Sequence, residues 1–145
     1  MFKTIVVAVD GSEGSKKAIH YGAQMQAQYE GELLMLTVFR HHSLLEASMS
    51  MVRPENPENI DDAMRGYAKE VADEAKVLAR EAGATKCRAF IKSGQPARTI
   101  VKFSAEHDAD LIVVGSRGMG DIEGFLLGSV SHKVTSLASC PVMVV

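Results

Sequence analysis

The sequence predicts a single α/β domain with a doubly wound, five-stranded parallel sheet and helices on both faces. Three observations carry that expectation. Short apolar runs alternate strictly with longer amphipathic stretches, in the order βαβαβαβαβ, as in a parallel sheet joined by helical crossovers. Three of the runs, Ile5–Val9, Leu111–Val114 and Val142–Val145, are continuously apolar, which suits strands covered on both faces. The length of 145 residues fits one domain, able to bury about 70% of its unfolded surface without a disulfide or metal.

The elements follow in order. Thr4–Val9 is β-branched and reads as the first strand. Ser15–Glu30 is a helix carrying Ala18, Gly22, Met25 and Tyr29 at helical spacing, with Gly31 expected to stop it. Glu32–Phe39 is the second strand. Arg40–Glu58 breaks the rhythm, with His41, His42, Met49, Met51, Pro54 and Pro57. A connection this long is either a loose surface excursion or a flap over a ligand or partner. Asn59–Ala82 is the longest helix, with Ala63, Tyr67, Val71, Ala75 and Leu78 on one stripe and Gly83 at its end. Lys86–Ile91 is the third strand. Lys86, Arg88 and Lys92 share one side and Cys87, Ala89 and Ile91 the other, which fits a charge-protected edge. Gln95–His107 is a helix with Pro96 in its first turn, where the missing N–H costs nothing. Asp110–Val114 is the fourth strand, Ser129–Leu137 the last helix and Pro141–Val145 the last strand. One domain over residues 1–145 is expected, with the stretch at about 40–58 as its variable loop.

Composition narrows the function. The chain is 46% hydrophobic and 23% charged, with 16 basic and 18 acidic residues and a net charge of −2. That balance supplies no long-range field for nucleic acid or anionic lipid, so any anion must be held by local donors. Cys87 and Cys140 have no metal-binding spacing and read as small buried residues in a reducing compartment. The first apolar run is short and meets Asp10, unlike a signal peptide. No run approaches ~18 apolar residues. A cytoplasmic location with no membrane or nucleic-acid partner is expected.

The strongest local signal follows the fourth strand, where glycines stand at 115, 118, 120, 124 and 128. So many glycines are costly in backbone entropy. They make sense where the backbone takes positive φ or approaches a ligand closely. Successive amides after a strand end can form an anion-binding nest. Gly128 leads into Ser129 at a helix start, where first-turn N–H groups lack internal partners. The helix dipole there is worth roughly 0.3–1 kcal/mol to an anion. Ser129 can offer its hydroxyl to a phosphate or cap the helix, and Arg117 adds a mobile positive charge. On local chemistry alone two readings stay open: a phosphate cradle, or an ordinary loop with a glycine C-cap and a serine N-cap. Gly11-Ser12-Glu13-Gly14-Ser15-Lys16 lacks Walker A spacing, and Gly118-Met119-Gly120 is followed by Glu123 where a dinucleotide fingerprint needs glycine. No G-x-S-x-G elbow is present.

Gly115-x2-Gly118-x9-Gly128-Ser129 resembles the G-x2-G-x9-G-[ST] nucleotide loop of the universal stress protein family. The opening Ile5-Val6-Val7-Ala8-Val9-Asp10-Gly11-Ser12 is similar to that family's first strand and turn. The stretch from Leu127-Gly128-Ser129-Val130-Ser131 to Ser139-Cys140-Pro141-Val142-Met143-Val144-Val145 is similar to its ending. Only Arg40–Glu58 lacks family character. The resemblance implies an adenine nucleotide alpha hydrolase-like sheet of order 3-2-1-4-5, with its ligand at the switch point between strands 1 and 4. It implies bound ATP, or AMP or ADP, with Mg²⁺ or Mn²⁺ on the phosphates. Ala8, Val9 and Asp10 are then expected beside the adenosine and Val38 on the adenine. Gly115, Arg117 and Gly118 are expected around the ribose and phosphates, with Val114 also among the site residues. Gly128, Ser129, Val130 and Ser131 are expected on phosphate. The resemblance further implies a homodimer through Pro141–Val145, which would otherwise be an exposed edge.

Asp10 can bind ribose or approach a phosphate-bound Mg²⁺ through water; it can equally be a turn residue in Asp10-Gly11-Ser12. His41 and His42 have no fixed geometry for a metal, and His132 reads as a solvated helix residue. Lys69, Glu70, Asp73, Glu74, Lys76 and Arg80 form a wet helix face. The function expected is a nucleotide-dependent dimeric regulator in the stress response, with no catalytic and no metal-ligating residue assigned. One alternative is a slow Mg-dependent ATPase, for which Arg117 is present but no positioned base. The other is a dimeric interaction protein with a vestigial site, against which the intact glycines count.

Overall fold

A computed structural model of the chain describes residues 1–40, 57–118 and 127–145, with 57–60 described by their backbone alone. Along them run β1 (Thr4–Ala8), α1 (Glu13–Tyr29), β2 (Glu32–Phe39), α2 (Pro57–Glu81), β3 (Cys87–Ser93), α3 (Pro96–Glu106), β4 (Leu111–Val114), α4 (Ser129–Leu137) and β5 (Val142–Val144). The strands form one sheet in the order β3-β2-β1-β4-β5, and every neighbouring pair is parallel. This is the order the resemblance implied. The chain winds outward from β1 through β2 to β3, then returns to place β4 on the other side of β1. The connections leaving β1 and β4 therefore diverge and open a crevice beyond their carboxyl ends.

The apolar runs are continuous because both faces of the sheet are covered. Ile5, Val7, Leu33, Met35, Leu111 and Val113 pack with Ala18, Ile19 and Ala23 of α1 and with Val71, Ala75 and Ala79 of α2. Val6, Leu34, Leu36, Ile112 and Val114 pack on the opposite side with Ala97, Ile100 and Phe103 of α3 and Val134 of α4. β5 departs from this pattern. Its residues are only partly buried, because it forms an edge of the sheet and no strand among the described residues lies beyond it. β3 is the other edge, and Arg88 and Lys92 are exposed on it. Phe90 lies on the same side as those charges yet packs against Phe103 of α3, with ring centroids 5.1 Å apart.

Two expectations about helices need correction. On α2 the buried residues are Ala68, Val71, Ala72, Ala75 and Ala79, whereas Ala63 and Tyr67 are exposed. The stripe is rotated toward alanines, whose small side chains let the helix lie close to the sheet. At the end of α1 the left-handed residue is Glu30, with φ of 55°, not Gly31. Gly31 is glycine for another reason: a Cβ there would lie 2.5 Å from the Phe2 carbonyl oxygen.

Buried polar groups tie the layers at the opposite end from the crevice. Gln26 donates from Nε2 to the Gly31 carbonyl at 2.9 Å and accepts from the Thr85 N–H at 2.9 Å. Asp110 Oδ2 accepts from the N–H groups of Lys3 and Thr4, both at 3.0 Å. Cys87 and Cys140 are free thiols, each half-buried. Burial pushes the Cys140 thiol up; a backbone hydrogen bond opposes the rise and Asp110 adds to it, so Cys140 stays protonated at neutral pH. No helix among the described residues is long and apolar enough to cross a membrane. The excursion expected over Arg40–Glu58 falls largely outside the described residues; its last two, Pro57 and Glu58, already belong to α2.

Candidate functional site

The turn after β1 is built by local hydrogen bonds. Asp10 Oδ1 accepts from the Ser12 N–H at 2.9 Å and from the Ser12 hydroxyl. Ser12 is in turn the N-cap of α1, its Oγ accepting from the Ser15 N–H at 3.2 Å, and the Ser15 hydroxyl donates back to the Ser12 carbonyl at 3.0 Å. Asp10 is therefore a turn residue, and the same side chain also lines the crevice.

The second wall comes from β4 and α4. The N-cap of α4 is Gly128, which brings no side chain to its first-turn amides. Ser129 is the first helical residue, so the expected serine cap is absent and its exposed hydroxyl stands at the helix start. Ser116 joins this wall together. Its carbonyl accepts from the Gly128 N–H at 2.6 Å and from the Ser131 hydroxyl at 2.9 Å. Its own N–H donates to the Val145 carbonyl at 2.7 Å. The buried Ser131 hydroxyl thus fastens α4 to the loop after β4.

Between these walls is a cavity of about 250 Å³. Ala8, Val9, Asp10, Val38, Val114, Gly115, Arg117, Gly118, Ser129, Val130 and Ser131 all line it. Gly128 does not, and acts from behind as the cap. Six lining residues were not singled out from the sequence: Ser12, Ser15, Leu36, Arg40, Pro96 and Ile100. The S-x-x-S spacing of the first two is a helix-start signal. Leu36 shares its strand face with Val38, so it was within reach of period-two reasoning. Pro96 and Ile100 come from α3, whose position beside β2 needs the fold. Chemically the cavity has two halves. β2 and α3 contribute the apolar Leu36, Val38, Pro96 and Ile100; the starts of α1 and α4 contribute hydroxyls, and Arg40 and Arg117 are exposed cations. Such a lining can take a flat heterocycle at one side and an anion at the other.

The sequence profile described as the universal stress protein family matches residues 1–145. The chain belongs to the universal stress protein family. Universal stress protein YxiE of Bacillus subtilis (strain 168) is 35% identical over 149 aligned positions, covering 100% of this chain and 99% of that protein. A universal stress protein solved in complex with cAMP is 29% identical, with a TM-score of 0.73 and coverage of 99% and 96%. UspA from Lactobacillus plantarum is similar in fold, with a TM-score of 0.84 at 23% identity and coverage of 99% and 97%.

In this universal stress protein Gly115 has a cause that spacing did not indicate. None of Gly115, Gly118 and Gly128 has a positive φ. A Cβ on Gly115 would lie 2.7 Å from the Gly14 carbonyl carbon, and one on Gly14 would lie 2.5 Å from the Arg117 carbonyl oxygen. The first turn of α1 and the loop after β4 touch backbone to backbone. Gly120 and Gly124 lie outside the described residues. Among the described residues no three His, Cys, Asp or Glu side chains gather as a metal cluster.

Proposed function

We propose that this universal stress protein binds ATP in the cavity beyond β1 and β4 and acts in the cytoplasm as a nucleotide-dependent dimeric regulator in the stress response. The observation that carries the reading is the cavity's two-part lining, apolar from β2 and α3 and donor-rich at an α4 start that has no capping side chain. The adenine packs against Leu36, Val38 and Ile100. The phosphates point to the amides and hydroxyl at Ser129, where unpaired N–H groups and the helix dipole favour anions. Arg117 and Arg40 offset their charge. The family member solved with cAMP supports an adenine nucleotide.

Mg²⁺ or Mn²⁺ rides on the phosphates. Mg²⁺ commonly keeps several waters and takes substrate phosphates with one or two carboxylates, so a donor set containing Asp10 fits it. Binding is favoured over turnover because Asp10 is the one carboxylate among the described lining residues and its Oδ1 already holds the Ser12 turn. The dimer forms through Pro141–Val145, a segment that is apolar and edge-exposed in the single chain.

Calorimetric titration with Mg-ATP tests the reading. The wild-type protein binds saturably, and Gly118→Val binds about tenfold or more weakly, equivalent to ~1.4 kcal/mol, with its oligomeric state unchanged. Equal affinity in both proteins, or no binding by folded wild type, defeats the site. Sustained Mg-dependent phosphate release over hours defeats the non-enzymatic part.

A further inference from the structure

We infer that a second ligand site lies beside the first cavity, on the α2 side of the sheet: a groove for a neutral aromatic small molecule carrying one hydroxyl. The groove holds about 600 Å³ between the end of β2 and α2, and Thr37, Phe39, Met64, Tyr67 and Val71 line it. Strand alternation separates the two sites. Leu36 lines the first cavity alone and Thr37 and Phe39 line the groove alone, while Val38 at the strand end borders both.

Thr37 carries the argument. It is 5% exposed, and its Oγ1 has no hydrogen-bond partner among the described residues. The other buried polar side chains among the described residues are satisfied: Ser15 on Ser12, Gln26 on Gly31 and Thr85, Ser104 on Ile100, and Ser131 on Ser116. The helical serines reach a carbonyl one turn back. A strand side chain stands away from its own backbone and has no such recourse. A buried hydroxyl without a partner is costly and uncommon, and here it borders a groove large enough for a ligand to supply one.

The lining states the ligand's chemistry. Two aromatic rings and a thioether favour a flat ring. A threonine hydroxyl both donates and accepts, so it matches a phenol, and it offers no charge to pair with an ion. Asp10, Val38, Arg40 and Pro96 line both cavities; the two charged ones have opposite signs and favour neither anion nor cation. The site does not depend on what the first cavity binds.

The test uses 2-naphthol and naphthalene, titrated into the whole protein and followed by NMR. 2-Naphthol should shift the signals of Thr37, Met64 and Val71 saturably and bind about tenfold more tightly than naphthalene, the difference one buried hydrogen bond makes. Thr37→Val keeps the shape and removes the unpaired hydroxyl, so it should fold, still bind naphthalene, and lose most of that preference. Absence of saturable shifts at these residues overturns the proposal. So does an undiminished preference for 2-naphthol in Thr37→Val.

Discussion

Gly115 and Gly66 show how differently one residue type behaves in two places. A methyl group at Gly115 would meet the Gly14 backbone at 2.7–3.0 Å, while one at Gly66 would meet nothing within 4 Å. Backbone cannot yield as a flexible side chain does. Gly115→Ala should therefore lower stability by about 1–3 kcal/mol through overpacking. Gly66→Ala, on the exposed side of α2, should raise it by about 0.5–1 kcal/mol. Urea unfolding followed by circular dichroism measures both, and the same sign at both positions contradicts the account. The glycine spacing after β4 was legible in the sequence, but the cause of Gly115 was not. Gly14 and Gly115 are far apart in the chain, and nothing local in either segment reveals that they touch. The place of Asp10 was legible, because a turn sequence directly after a strand puts one residue both in the turn and at the crevice.

At the scale of elements, α2 illustrates what periodicity contains and omits. Apolar spacing located the helix, and Val71, Ala75 and Leu78 were placed on its inner stripe. It could not fix the stripe's exact angle, because Tyr67 counts as apolar in a pattern yet stays exposed at the groove beside the sheet. The helix docks through Ala68, Ala72, Ala75 and Ala79. Ala75→Leu should accordingly cost about 1–3 kcal/mol in chemical denaturation while leaving helix content intact. A neutral or stabilising result would mean that the layer has slack. α4 makes a related point. A serine at a helix start suggested a cap, but the chain begins the helix one residue earlier than a cap at Ser129 requires, with Gly128 in the capping position. Cap position depends on backbone dihedrals at a single residue, which spacing does not carry.

For the whole molecule, strict alternation and continuous apolar runs were enough for the fold class. Strand order was not readable from those runs, since any of several orders buries the same residues; it came from the family resemblance. The order has a consequence at the two edges. β3 presents Arg88 and Lys92, whereas β5 presents Val142 and Val144 without charge. Ile112 N–H donates to the Pro141 carbonyl and Val145 N–H donates to the Val114 carbonyl. By alternation, the backbone groups of Val142 and Val144 face outward. Val144→Pro deletes one outward donor and spares the ladder to β4. With the proposed dimer, sedimentation should find the wild type dimeric and this variant monomeric; a dimer that persists in the variant places the interface elsewhere.

The joint at Ser116 has a bearing on how freely this sequence can drift. Two of its three fastenings are main chain to main chain, the Ser116 N–H donating to the Val145 carbonyl and the Gly128 N–H donating to the Ser116 carbonyl, and the third needs a side chain only at Ser131. Amides are common to nearly every residue, so the rim is indifferent to what stands at 116 or 145. Mutational change can pass through those positions and leave the mouth of the crevice in the same shape.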